Sequence, residues 1–184
     1  VNNADKIILD LCGGTGAWSR PYADAGYDVR NITLPDYDIC NFTVPENVWG
    51  ILAAPPCNEF SIAKGSQKRD FEKGMKIVKA CLECVWIARM YNGLQWWCLE
   101  NPVGFLRQFL GKPAHTIRYW WYGDGLDKRT DLWGYFTLPK RRYFQPPELL
   151  KRIRDMPGGT DQHRQLNRAI TPSGFARAFF EANS

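Results

Sequence analysis

Three short segments of this chain carry side chains suited to chemistry. The first is Cys57, which follows the double proline Pro55-Pro56 and precedes Asn58, Glu59, Phe60 and Ser61. Proline fixes φ, so the approach to the thiol is stiff, and stiffness aims a nucleophile. Such a thiol would act as its thiolate. The second is Glu100-Asn101, which ends an apolar run containing Trp96 and Trp97. A carboxyl group so flanked loses hydration, which raises its pKa and suits it to donate a proton or grip a polar ring edge. The third is the turn formed by Gly13, Gly14 and Gly16, where a ligand can approach the backbone closely at the opening of a helix. Each has a plainer reading: a structural thiol, a polar residue closing a strand, a tight turn. His115 and His163 are the only histidines, and neither is placed to serve Cys57, so a cysteine–histidine hydrolase fits poorly. Ser19 stands where a dinucleotide fingerprint needs its third glycine, and no Gly-Lys-Ser/Thr follows to make a phosphate loop.

These segments need elements to hold them. Ile7–Leu11 reads as a strand, followed by the glycine turn and a helix over about residues 16–25 that Gly26 stops. Residues 27–34 form a second strand ended by Pro35, and residues 49–54 form a buried strand. A long, well-buried helix covers 70–91, with Gly93 beyond it, and residues 94–101 form a strand stopped by Pro102. Strands are also expected at 115–123 and 132–138, with a loop over 124–130 and a second loop signal at Pro157-Gly158-Gly159. The last helix begins near Thr171 and places Phe175, Ala178 and Phe179 on one face. Alternating strands and helices predict an α/β domain with a largely parallel sheet. In such sheets, sites gather at the carboxyl ends of strands, and all three segments sit at such ends.

Composition narrows the class. A chain of 184 residues, 45% hydrophobic and 23% charged, suits one globular domain. It has no apolar run near the ~20 residues of a membrane helix and no basic-then-apolar leader, so a cytoplasmic protein is expected. The six cysteines are scattered and are expected to be reduced. Cys81 and Cys84 form a CxxC pair within the long helix, and no second pair or histidine cluster completes a metal site, so they read as a buried helix face. The net charge is only +5. However, Lys140, Arg141, Arg142, Lys151, Arg152 and Arg154 crowd one segment, either a solvated face or an electrostatic footprint for nucleic acid.

Taken together, "DLCGGTG", "PPCNEFS" and "LENPVGF" resemble, in order and spacing, the motifs of the cytosine-5 DNA methyltransferases, which read roughly D-L-F-x-G-x-G, F-P-C-Q-x-F-S and E-N-V. Asp38-Ile39 is similar to that family's acidic contact after the third strand. "YGDGLDKRTDLWG" is similar to its Y-G-x-P-Q-x-R-x-R segment, and "NRAITPSGFARAFFEAN" to its closing motif and helix. The resemblance covers nearly the whole chain and implies a Rossmann-like, S-adenosylmethionine-dependent methyltransferase fold acting on double-stranded DNA, without metal. It makes Cys57 the nucleophile toward carbon 6 of a flipped-out cytosine, because carbons 5 and 6 are inaccessible in the stack. Glu100 would hold the exocyclic amine and ring nitrogen 3, Asn101 would order the Pro-Cys loop, and Lys128 or Arg129 would hold the carbonyl or a flanking phosphate. The donor would contact Asp10, Leu11, Cys12, Gly13, Gly14, Thr15, Gly16, Thr33, Asp36, Asp38, Ile39, Pro56 and Arg168. DNA would contact Ser61, Arg141, Arg142, Lys151 and Arg152.

The departures from the pattern are informative. Cys12 replaces the phenylalanine that packs on the donor. No strand-end acid stands near Thr33, and Asp36 is the substitute. The closing motif reads Asn167-Arg168 where Gly-Asn is usual, and an arginine there would suit a carboxylated donor. Only about residues 138–166 stand where the family inserts a target-recognition domain. That is too short for a full base reader, so a context of one or two bases is expected, as in minimal enzymes of bacterial viruses. Phosphate contacts position a protein but carry no sequence information. Cytosine methylation in RNA and a non-catalytic nucleic-acid binder are the competing readings. A monomer is favoured over an oligomer.

Overall fold

The computed structural model describes residues 2–91, 93–148, 151–152 and 170–184. Eight strands are described: β1 (Ile7–Leu11), β2 (Asp28–Ile32), β3 (Val48–Ala53), β4 (Trp96–Pro102), β5 (His115–Arg118), β6 (Leu126–Asp127), β7 (Arg129–Tyr135) and β8 (Lys151–Arg152). The α-helices are α1 (Arg20–Asp24), α2 (Phe71–Met90), α3 (Arg107–Leu110) and α4 (Ser173–Asn183). Six strands form one sheet in the order β2-β1-β3-β4-β7-β5, and β6 pairs with β8 separately. β2, β1, β3 and β4 are parallel, and β7 alone runs against its neighbours. The result is a mixed α/β architecture with a mostly parallel sheet, compatible with a Rossmann-like fold.

Period-two burial builds a core on each face of the sheet. Leu9, Leu11, Ile51, Ala53 and Leu99 turn toward α2, whose Val78, Cys81, Cys84, Val85 and Ala88 cover them. Ile8, Leu52, Cys98 and Leu132 turn the other way, onto Tyr22 of α1 and Phe175 and Phe179 of α4. Trp18 meets Phe179 edge-on, with ring centroids 5.4 Å apart. Cys81 and Cys84 are thus core residues of α2, and Phe175, Ala178 and Phe179 are buried together as their spacing predicts. Asp70 caps α2, accepting from the Lys73 amide at 2.9 Å; this satisfies one of the donors a helix start leaves unpaired.

Three elements differ from expectation. The first helix starts at Arg20, not near Gly16, because Gly14 and Gly16 adopt positive φ (+55° and +70°) and the chain leaves this left-handed turn before right-handed helix can begin. Residues 119–122 leave β5 and form a 3-10 turn that buries Tyr119, Trp120 and Tyr122. A flat strand would alternate these rings to opposite faces, whereas the turn lets all three be covered. The loop expected over 124–130 contains β6 and gives way to β7 at Arg129. Arg154, the Pro157-Gly158-Gly159 signal and Arg168 lie outside the described residues.

No helix among the described residues is long and apolar enough to cross a membrane. No group of three or more His, Cys, Asp or Glu side chains among them is arranged to hold a metal ion. None of the six cysteines is disulfide-bonded.

Candidate active site at the strand-end rim

The register fixes the site. Leu11 is level with Ile32 on one side and Ala53 on the other, and Ala53 is level with Leu99. The glycine turn, the Pro-Pro-Cys loop and Glu100-Asn101 therefore leave the sheet at one rim. The chain passes from β1 to β2 on one side and to β3 on the other, so β1 and β3 flank the switch point where open α/β sheets bind ligands. The Ala54 amide donates to Leu11 O at 2.9 Å, and the Cys12 amide to Ile32 O at 2.8 Å.

The glycine turn is open above and braced below. Gly14 has no atom within 4 Å of where a Cβ would stand, whereas a Cβ on Gly13 would fall 2.3 Å from Asp10 Cγ and 2.5 Å from Asn31 Oδ1. Asp10 lies beneath the turn, wholly buried, and accepts from Ser19 Oγ at 2.6 Å. Burial pushes its carboxyl up to about 6, against the opposing effect of the Ser19 hydrogen bonds. Asn31 Nδ2 donates to Gly14 O at 2.9 Å. Ser19 and Asn31 were not among the sequence candidates. Ser19 carried a signal, as the residue at the missing third glycine, whereas Asn31 carried none beyond being polar near a strand end. Cys12 has a φ of 58° and places its Sγ 4.0 Å from Cys81 Sγ. The hydrogen bond between the two thiols lowers Cys12 and raises Cys81.

The remaining donor candidates spread along the same side. Thr33 is half-buried and Ile39 buried, while Thr15, Asp36, Asp38 and Pro56 are exposed. Asp38 caps the 3-10 turn Ile39–Asn41 by accepting from the Cys40 amide at 2.9 Å.

Around Cys57 the loop is held from both sides. Asn101 Nδ2 donates to Pro55 O at 3.0 Å. After the cysteine the backbone curls, and the Phe60 and Ser61 amides donate to Cys57 O at 2.9 and 2.8 Å. Ser61 caps the following 3-10 turn through the Ala63 amide at 3.2 Å. Cys57 is partly exposed, whereas Glu100, Asn101 and Lys128 are 6%, 1% and 6% exposed. Burial raises the Glu100 pKa, and the positive charge of Lys128 opposes that rise. Glu100 Oε2 is buried with no hydrogen-bond partner among the described residues.

Of the two cations expected here, Lys128 turns inward, with Nζ 5.5 Å from the centre of the Tyr119 ring, and Arg129 is exposed. Successive residues of an extended chain face opposite ways, so one of the pair had to leave the site. The expected DNA contacts are partly committed elsewhere. The Arg141 guanidinium stacks on Trp120, Trp121 and Phe144 at 5.0, 4.6 and 4.9 Å and donates to Tyr143 O and Phe144 O. Arg142 is ion-paired with Glu181. Lys151 and Arg152 form β8 beside β6, so their backbone borders the turn that leads to Lys128.

No protein-family model matches the chain, and a search of curated proteins returns no match.

Proposed function

We propose that the chain is a DNA cytosine-5 methyltransferase with S-adenosylmethionine as donor. The observation that carries this reading is the pairing of a buried Glu100, with an oxygen that has no hydrogen-bond partner among the described residues, and a cysteine loop tied to the same strand end through Asn101 and Pro55. The motif order supports it independently. The glycine turn fits a donor, since it is open where a ligand would lie and braced underneath by Asp10 and Asn31. Residues 11–16, with exposed Asp36 and Asp38, would hold S-adenosylmethionine, which supplies an electrophilic methyl group for carbon 5.

The chain's residues would divide the remaining work. Asn101 holds the proline carbonyl and so fixes where Cys57 Sγ stands. Glu100 donates to ring nitrogen 3 and accepts from the exocyclic amine, drawing electron density from the ring. Cys57 thiolate then bonds to carbon 6, and the pair of the 5,6 double bond moves to carbon 5. Lys128, whose charge acts on Glu100, would hold the base's carbonyl oxygen. Carbon 5 would spend that pair on the bond to the donor's methyl group, the donor sulfur keeping the electrons of the bond that breaks; loss of the carbon 5 proton to water would then let the C–H pair re-form the 5,6 double bond and expel the thiolate.

Covalent trapping on duplex DNA containing 5-fluorocytosine, with S-adenosylmethionine present, tests this reading. Fluorine cannot leave carbon 5 as a proton does, so the wild type should accumulate an adduct and Cys57→Ala should not. A Cys57→Ala protein that traps as well as wild type would falsify the nucleophile assignment.

A further inference from the structure

Of the residues expected to meet DNA, Arg141 and Arg142 are engaged within the protein, and a different basic surface stands beside the nucleophile loop. Between residues 64 and 79 there are six basic side chains and two acidic ones, a local excess of four against +5 for the whole chain. Two of the six are used internally. Lys64 is ion-paired with Glu59, and Arg69 donates to Glu59 O, Ser61 O and Gly65 O at 2.9, 3.0 and 3.2 Å. The other four, Lys68, Lys73, Lys76 and Lys79, are exposed, and none is ion-paired among the described residues. Asp70, which caps α2, and Glu72 are the exposed acids among them.

The start of this lysine row lies at the nucleophile loop. A Cβ on Gly74 would stand 2.9 Å from Phe60 Cζ and 3.1 Å from Glu59 Cβ, so the first turns of α2 pack directly on the loop after Cys57. Lys73 acts electrostatically on Glu59, and Lys76 on Cys40 in the turn that Asp38 caps. The ridge thus runs from the nucleophile loop toward the donor side of the site. At its start lies a groove of about 540 Å³ lined by Lys64, Lys68, Arg69, Asp70, Phe71 and Glu72. By contrast Arg141 is stacked and Arg142 paired.

We infer that Lys68, Lys73, Lys76 and Lys79 form the surface that receives the sugar–phosphate backbone of the DNA flanking the reacting cytosine. The inference rests on the methyltransferase reading and adds where its substrate lies. Unpaired lysines in a row are charge-complementary to regularly spaced phosphates, and each neutralised phosphate releases counterions. This contact carries no base information.

The test is binding of a fluorescein-labelled DNA duplex by anisotropy from about 50 to 300 mM salt. Lys73→Gln/Lys76→Gln/Lys79→Gln keeps helix propensity. It should flatten the slope of log affinity against log salt by up to about 3 and weaken binding roughly 10- to 100-fold at about 0.1 M salt. Replacing the same three lysines with arginine should preserve the slope, and Arg142→Gln should barely change it. A triple glutamine variant with the wild-type slope and affinity overturns the ridge. If wild type still traps on 5-fluorocytosine DNA in that case, the catalytic reading stands without it. A wild type that neither traps nor binds duplex DNA overturns both.

Discussion

Burial of Glu100 sets the protonation state of the candidate site. Its carboxyl is held above the usual range by desolvation, with Lys128 limiting the rise, so it keeps its proton to higher pH than an exposed glutamate. Activity that needs this proton should fall as pH climbs through the raised value. Glu100→Gln should lower kcat/KM by about 10²- to 10⁴-fold and remove that basic-side decline, measured as initial rates across pH. Asp10 gives the matching stability prediction. Its folded-state pKa of about 6 lies above the ordinary 3.8, so the folded state binds more protons than the unfolded chain between those values. Stability therefore drops as pH rises from about 4 to about 6 and stays reduced above that. Asp10→Asn should recover up to about 3 kcal/mol at pH 8 and nothing below about pH 4, read as Tm in thermal unfolding across pH.

At the level of elements, the site depends on one tether between adjacent strand ends. Asn101 reaches from β4 to the carbonyl of Pro55 beyond β3, and both groups are buried. Asn101→Ala should cost about 1–3 kcal/mol, because it leaves a buried carbonyl without its donor. It should also lower kcat more than it raises KM, since a displaced Cys57 harms the reacting geometry more than substrate binding. Urea unfolding and steady-state kinetics on the same variant would separate the two effects. The strands β1 to β4, the long helix α2 and the buried face of α4 were legible in the sequence, since each follows from local periodicity, whereas β6 and β8 were not. The 3-10 turn at Tyr119–Tyr122 was not, because aromatic residues fit a strand equally well until their burial partners are known.

Across the whole molecule, the six-stranded sheet carries one core on each face and spends its carboxyl rim on the candidate site. On the proposed methyltransferase reading, with phosphate contacts carrying the binding, cytosines should be modified in a context of only one or two bases. Bisulfite-type sequencing of treated DNA checks this, and a fixed context of four or more bases is the contrary result. The core itself is aromatic where α4 meets the sheet: Phe179 is fully buried and packs on Trp18 and Trp96 at 5.4 and 5.6 Å. Phe179→Ala should destabilise the fold by about 3–5 kcal/mol, visible as a lowered denaturation midpoint with no change in the chemistry of the residual folded fraction.

The sequence by itself determined the strand–turn–helix alternation, the stiff cysteine loop and the acid behind the tryptophan-rich strand, because proline, glycine and apolar period act over a few residues. Only the tertiary structure decided that Lys128 rather than Arg129 meets Glu100, that Asp10 braces the glycine turn from below with Ser19 and Asn31, and that Arg141 is absorbed into an aromatic stack while the lysines of α2 stand unpaired. These outcomes rest on register between strands far apart in the chain and on which charge finds a partner first. Neither is encoded in any one stretch of residues.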